Sequence, residues 1–153
     1  MKQNIEQAME KYGDMVYRIA LTHTGSPENA EDIFQDVFIV YSEKIIKFKN
    51  EEHEKAWLIR VTINKCKNLK SSSWNKKTVE LDENIRFESP EELGVFEAVN
   101  SLPENYKTVI YLIYYEGYKV KEIAKILKTN ENTVKTWAFR ARQMLKESLE
   151  GGF

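Results

Sequence analysis

Lys135, Thr136, Phe139, Arg140 and Gln143 recur at spacings of three and four, so on a helix they share one face, opposite an apolar stripe of Val134, Ala138, Ala141 and Leu145. The chemistry of such a face is recognition. Lysine and arginine reach phosphates or guanine edges, and threonine and glutamine hydrogen-bond to bases. Asn130 is placed to cap this helix, Lys128-Thr129-Asn130 reads as a tight connection, and Val120 to Leu127 reads as a short helix with Ile123, Ala124 and Leu127 inward. A short helix, a turn and a longer helix with a polar, basic outer face form the helix-turn-helix pattern. Many αα-hairpins share it, so by itself the pattern is only moderately specific.

A second basic stretch lies upstream. Between Lys55 and Lys77 the charged residues are Lys55, Arg60, Lys65, Lys67, Lys70, Lys76 and Lys77, with no acid among them. Seven acids follow, Glu80, Asp82, Glu83, Glu88, Glu91, Glu92 and Glu97, opposed only by Arg86. Any one such run reads as a solvated helix face. Two basic blocks around an acidic hinge are less ordinary, and they lie hidden in a formal net charge of only −1. Other chemistries find few residues. A single cysteine, Cys66, excludes an intrachain disulfide and reads as a small buried side chain. Two histidines, His23 and His53, read as surface residues and are too few for a dedicated zinc site. No phosphate-binding glycine loop or Ser-His pairing points to an enzyme. No cofactor or metal is expected.

The elements that must hold these faces are helical. Met9, Tyr12, Met15, Val16, Ile19 and Ala20 form an apolar stripe closed by Thr24-Gly25. Ser26 and Pro27 start a second helix, expected to reach about Lys47, with Ile33, Phe34, Val37, Phe38, Val40, Tyr41 and Ile45 inward and Gln35, Asp36 and Glu43 outside. A third helix is expected from His53 or Glu54, carrying Ala56, Trp57, Ile59, Val61, Ile63 and Leu69, with Trp57 a core anchor rather than a stacking platform. After the linker, helices resume at Leu93 to Asn100 and again from Pro103, where Val109, Ile110, Leu112, Ile113 and Tyr114 are expected in the core. The 153 residues thus read as all-α: two small helical domains, 1–71 and 91–153, joined by a flexible acidic linker over 72–90. The longest nearly apolar stretch, Val109 to Tyr115, has seven residues, far short of the roughly 20 that span a bilayer, and the N-terminus lacks a signal-peptide pattern. Membrane insertion is not expected, and a cytoplasmic location is.

Two sets of motifs resemble one family. Ala30-Glu31-Asp32-Ile33-Phe34-Gln35-Asp36-Val37-Phe38 and Ala56-Trp57-Leu58-Ile59-Arg60-Val61-Thr62-Ile63-Asn64 lie in the first half. Leu102-Pro103-Glu104-Asn105-Tyr106, Glu122-Ile123-Ala124-Lys125-Ile126-Leu127, Asn132-Thr133-Val134-Lys135-Thr136 and Arg140-Ala141-Arg142 lie in the second. Together they resemble the extracytoplasmic-function sigma factors of bacterial RNA polymerase, within the sigma-70 superfamily. The resemblance implies a dissociable specificity subunit without bond-making chemistry. Its first module would dock on core polymerase through Asp32, Gln35 and Asp36. It would hold the −10 strand with Asn64, Lys65, Lys67 and Lys70, beside a base-capture pocket near Phe48 to Trp57. Its second module would anchor the −35 duplex through Lys135, Thr136, Phe139, Arg140 and Gln143. Promoter DNA, core polymerase and an anti-sigma factor are the implied partners. Lys128 and Asn132 depart from the family in standing where glycine is common, Trp137 in replacing a basic residue, and Asn68 in replacing an acid. A stand-alone helix-turn-helix regulator, binding palindromic sites as a dimer, is the competing reading.

Overall fold

A computed structural model describes residues 4–44, 47–70 and 90–151; for residues 70, 90–93 and 151 it describes the backbone alone. Among the described residues there are seven helices. The chain divides into two compact units, Met1–Asn84 and Ile85–Phe153. The stretch expected as an acidic linker lies outside the described residues up to Pro90.

In the first unit α1 (Ile5–Thr24), α2 (Pro27–Glu43) and α3 (Glu51–Lys70) each pack on the other two. Local chemistry sets most of their ends. The Asn4 side chain accepts the Gln7 N–H at 3.1 Å, and Gly25 closes α1 in the left-handed region at φ 69°. One residue later Ser26 caps α2 by accepting the Asn29 N–H at 3.2 Å, with Pro27 in the first turn. The core is Val16, Ile19, Ala20, Ile33, Val37, Phe38, Leu58, Ile59 and Ile63, all nearly inaccessible. Each of these side chains larger than alanine contributes about 1.5–3 kcal/mol on leaving water. Cys66 is buried as expected. The close crossing of α1 and α2 depends on Gly13, where a Cβ would stand 3.3 Å from the Phe34 ring.

Four expectations for this unit are corrected. First, α2 ends at Glu43 rather than near Lys47, because Lys44 is extended (φ −85°, ψ 137°). The chain leaves the helix there and Phe48 returns against Tyr41, with ring centroids 6.3 Å apart; Ile45 lies outside the described residues. Second, α3 begins at Glu51, earlier than His53, since Asn50 accepts the His53 N–H at 2.8 Å and caps it. Third, Met9 is exposed, because Ala8 takes the inward place. Finally, His23 is buried at 1% exposure instead of lying on the surface. Its Nδ1 lies 2.9 Å from the Ile19 carbonyl, and beside it the Thr24 hydroxyl donates to the Ala20 carbonyl at 2.8 Å, so polar side chains at the end of α1 are satisfied locally and tolerate burial.

In the second unit α7 (Glu131–Gly151) is the central element, packing on α4 (Pro90–Asn100), α5 (Glu104–Tyr114) and α6 (Val120–Leu127). Val99, Leu102, Ile110 and Ala141 form its core, joined by Tyr106 and Leu145. Val109 and Leu112 are buried as expected, but Tyr114 is 60% exposed. Tyr111, three residues earlier, fills the interior and donates from its hydroxyl to the Glu116 carboxylate at 2.9 Å. On α6, Ile126 is buried in preference to Leu127. The α6–α7 connection is set by two caps. Lys128 adopts the left-handed conformation (φ 54°, ψ 49°), and the next N–H, of Thr129, reaches back to the Ala124 carbonyl at 2.9 Å. Asn130 then accepts the Thr133 N–H at 2.7 Å and begins α7.

Candidate polymerase and nucleic-acid interfaces

Three surfaces with distinct chemistry stand on this scaffold. The first is the outer face of α2. Asp32, Gln35 and Asp36 are all exposed there, as are Glu28 and Glu43, and α2 contains no lysine or arginine. In the middle of these acids lies Ile39, 50% exposed, seven residues after Asp32, four after Gln35 and three after Asp36. Ile39 was not anticipated, although its position on the acidic face is visible in the spacing. An exposed isoleucine ringed by carboxylates suits a partner that offers an apolar notch within a basic surface.

The second surface is the outer face of α3. The helical repeat places His53, Trp57, Arg60, Asn64 and Lys67 along the line opposite the buried Leu58, Ile59, Thr62, Ile63 and Cys66. Asn64 and Lys67 are exposed on this line; Lys65 is half-buried on its flank. Lys70 ends the helix, and its side chain is not described. The structure therefore brings together Asn64 and Lys67, adds the half-buried Arg60, and sets Lys65 aside.

Where this line meets the start of α3 there is an aromatic cluster. Trp57 packs against Tyr41 (centroids 6.0 Å apart) and Phe48 (5.8 Å), and Phe48 meets His53 edge-on at 5.3 Å. Phe48 and Trp57 are half-buried rather than enclosed, so Trp57 is at once a packing residue and a surface one. Polar ties hold the cluster. The Tyr41 hydroxyl donates to the Glu54 carboxylate at 2.7 Å, the Tyr12 hydroxyl to the Glu51 carbonyl at 3.4 Å, and Lys11 pairs with the Glu51 carboxylate. Burial, and then the bond to Glu54, push the Tyr41 phenol well above its ordinary pKa, and burial with the nearby Glu54 charge raises Tyr12 as well.

The third surface is the outer face of α7. Lys135, Thr136, Phe139, Arg140 and Gln143 are all exposed, Phe139 at 61%, while Val134, Ala138 and Ala141 on the opposite side are buried. The Thr136 hydroxyl donates back to the Asn132 carbonyl at 3.0 Å. Trp137, where a basic residue was expected, is half-buried at the edge of this face. The α6–turn–α7 arrangement therefore leaves a basic, polar face exposed along a helix of 21 residues.

Among the described residues no group of histidine, cysteine and carboxylate side chains could hold a metal ion. No described helix is long and apolar enough to cross a membrane.

Comparison with known proteins identifies the family. Residues 8–76 match the Sigma-70 region 2 family and residues 94–145 match Sigma-70, region 4. The chain is 28% identical over 138 residues to RNA polymerase sigma factor SigV of Bacillus subtilis, covering 87% of this chain and 83% of that protein. It is also 28% identical over 150 residues to the ECF RNA polymerase sigma-E factor of Haemophilus influenzae, covering 85% and 79%. Among solved structures, the sigma factor RpoE in complex with the anti-sigma factor NepR from Bartonella quintana has the same fold (TM-score 0.78, 20% identity, 95% of this chain and 96% of that one). So does CnrH in complex with the cytosolic domain of CnrY (TM-score 0.72, 22% identity, 96% and 88%). The chain belongs to the sigma-70 family, as an RNA polymerase sigma factor of the extracytoplasmic-function group.

Proposed function

We propose that the three surfaces divide the work of a promoter-specificity subunit. The acidic face of α2 docks on core polymerase through Asp32, Gln35 and Asp36, with Ile39 as the apolar anchor. The outer line of α3, Asn64 and Lys67 with Lys65 and Lys70 alongside, holds the phosphates of the opened −10 strand, and the Phe48–Trp57 cluster stacks an unpaired base. The outer face of α7 enters the major groove of the −35 element, where Lys135 and Arg140 meet phosphates or guanine edges and Thr136, Phe139 and Gln143 meet bases. Residues 1–71 and 91–153 are thus the −10 and −35 modules, and the acidic stretch 72–90 lies in a basic channel of the polymerase.

The single observation that carries this reading is the polarity of α7: five recognition-type side chains exposed on one face, and Val134, Ala138 and Ala141 sealed on the other. It acts in the cytoplasm as an initiation factor, without catalysis or cofactor. An anti-sigma factor that covers these faces is the third partner; one structural relative, RpoE, is seen in complex with the anti-sigma factor NepR.

Pull-down of core RNA polymerase, followed by run-off transcription on randomised promoters, tests the reading. Core-dependent initiation at a shared −35/−10 pair is expected, with weak binding to promoter DNA by the free chain. Nanomolar, core-independent binding to palindromic sites would overturn it in favour of a stand-alone regulator.

A further inference from the structure

Arg142 lies on α7 seven residues after Lys135 and four before Lys146, so the three cations form one stripe along the edge of the recognition face. Unlike the two lysines, Arg142 is held from outside its own helix. Its Nε donates to the hydroxyl of Tyr114, at the last turn of α5, over 2.9 Å, and its guanidinium carbon lies 5.7 Å from the ring centroid. With Nε bound to the hydroxyl, the guanidinium sits beyond the phenol oxygen, not flat on the ring. Tyr114 is 60% exposed, so little of the contact is explained by burial of the tyrosine. The bond takes one of five guanidinium donors and leaves the four on the terminal nitrogens for a flat, bidentate anion. An arginine side chain otherwise gives up about 2 kcal/mol of rotamer freedom when it is ordered on a ligand.

We propose that Tyr114 is a positioning residue that pre-orders Arg142 as a clamp on a backbone phosphate flanking the bases read by α7. The inference rests on the −35 reading of α7 and adds a phosphate contact outside the base-reading set. The class of ligand follows from the donor geometry: a phosphodiester oxygen pair accepts a planar fork, and Lys135 and Lys146 extend the positive stripe on both sides. Tyr114 reaches Arg142 across 28 positions of sequence, so the contact also ties the end of α5 to the recognition helix.

The test uses holoenzyme assembled from core polymerase and the full chain, on a promoter selected as above, with affinity measured across a salt series. Arg142→Ala should weaken the complex about five- to tenfold at physiological salt and lower the salt slope by about one, as the loss of one phosphate contact requires. Tyr114→Phe keeps the ring and removes the hydroxyl; it should weaken binding about threefold with the slope unchanged, because the charge remains while its pre-ordering is lost. In the Arg142→Ala background, Tyr114→Phe should have no further effect. A scan with single neutral methylphosphonates should find one position, flanking the −35 bases, whose cost vanishes in Arg142→Ala. An equal Tyr114→Phe effect with and without Arg142, or an unchanged salt slope in Arg142→Ala, would overturn the proposal and leave Tyr114 a structural residue. If wild-type holoenzyme shows no dependence on the −35 sequence at all, the −35 reading fails first and the clamp with it.

Discussion

Replacing Lys128 by glycine should stabilise the second unit. Lys128 is the one non-glycine residue with positive φ among the described residues, at φ 54° and ψ 49°, and it closes α6 just before the turn that aims α7. A side chain in that region costs about 1–2 kcal/mol through the Cβ–carbonyl contact, and glycine removes the cost. Glycine also gives the unfolded chain more freedom, which takes back about 0.4–1 kcal/mol. The net gain is therefore about 0.5–1 kcal/mol, or about 2–8 °C in Tm for a domain of this size. Calorimetry of the full chain, with amide exchange of α6 and α7 to identify the transition, measures it. Lys128→Ala loses the same charge without relieving the backbone and should leave Tm nearly unchanged, while Lys128→Val should lower it, since β-branching worsens the left-handed conformation. If glycine, alanine and valine at 128 all melt together, the left-handed cap is not a constraint on this turn and the reasoning fails.

Other expectations concern the proposed interfaces and the aromatic cluster. Ile39→Lys should weaken capture of core polymerase at least tenfold by competition binding, while circular dichroism and melting stay as in wild type, because the side chain is already in water; unchanged capture would remove Ile39 from the interface. Arg140→Ala should cost about 1–3 kcal/mol of promoter affinity and relax the choice of base at one −35 position, read by transcription on a base-substituted set; uniform weakening across all sequences would make it a phosphate contact instead. A raised phenol pKa means the folded unit binds its proton more tightly than the unfolded chain. The stability from Tyr41 is therefore complete below about pH 10, the ordinary tyrosine value, and is lost as pH rises beyond it. Urea midpoints of the first unit should fall above that pH in wild type and fall less in Tyr41→Phe; parallel curves would contradict the Tyr41–Glu54 assignment.

Whatever depends on near neighbours along the chain was legible beforehand. Ser26-Pro27 and Asn130 start helices because their side chains or ring geometry act within one turn, and Gly25 ends one because it alone tolerates the left-handed region cheaply. The outward set on α7 followed from its period, since Val134, Ala138 and Ala141 can share a core only if Lys135, Thr136, Arg140 and Gln143 point away. Residues at the margins of an apolar stripe were a different matter. Met9, Tyr114 and His23 have the wrong exposure for their type or spacing because coverage there depends on where the next helix crosses, not on the residue itself. The end of α2 was similarly hidden: no glycine or proline marks Lys44, and the helix stops where Phe48 returns to Tyr41 and Trp57.

The sites follow the same division. Local pattern alone settled that the chain is all-α and that a basic, polar helix follows a tight turn near its end, because caps and 3.6-residue periodicity act over a few residues. Tertiary structure alone decided which side of α3 stays free, left Ile39 in water among the acids of α2, and brought Tyr114 to Arg142. Such pairings depend on the packing of whole helices, and the free energy that selects them comes from burying stripes on other segments of the chain.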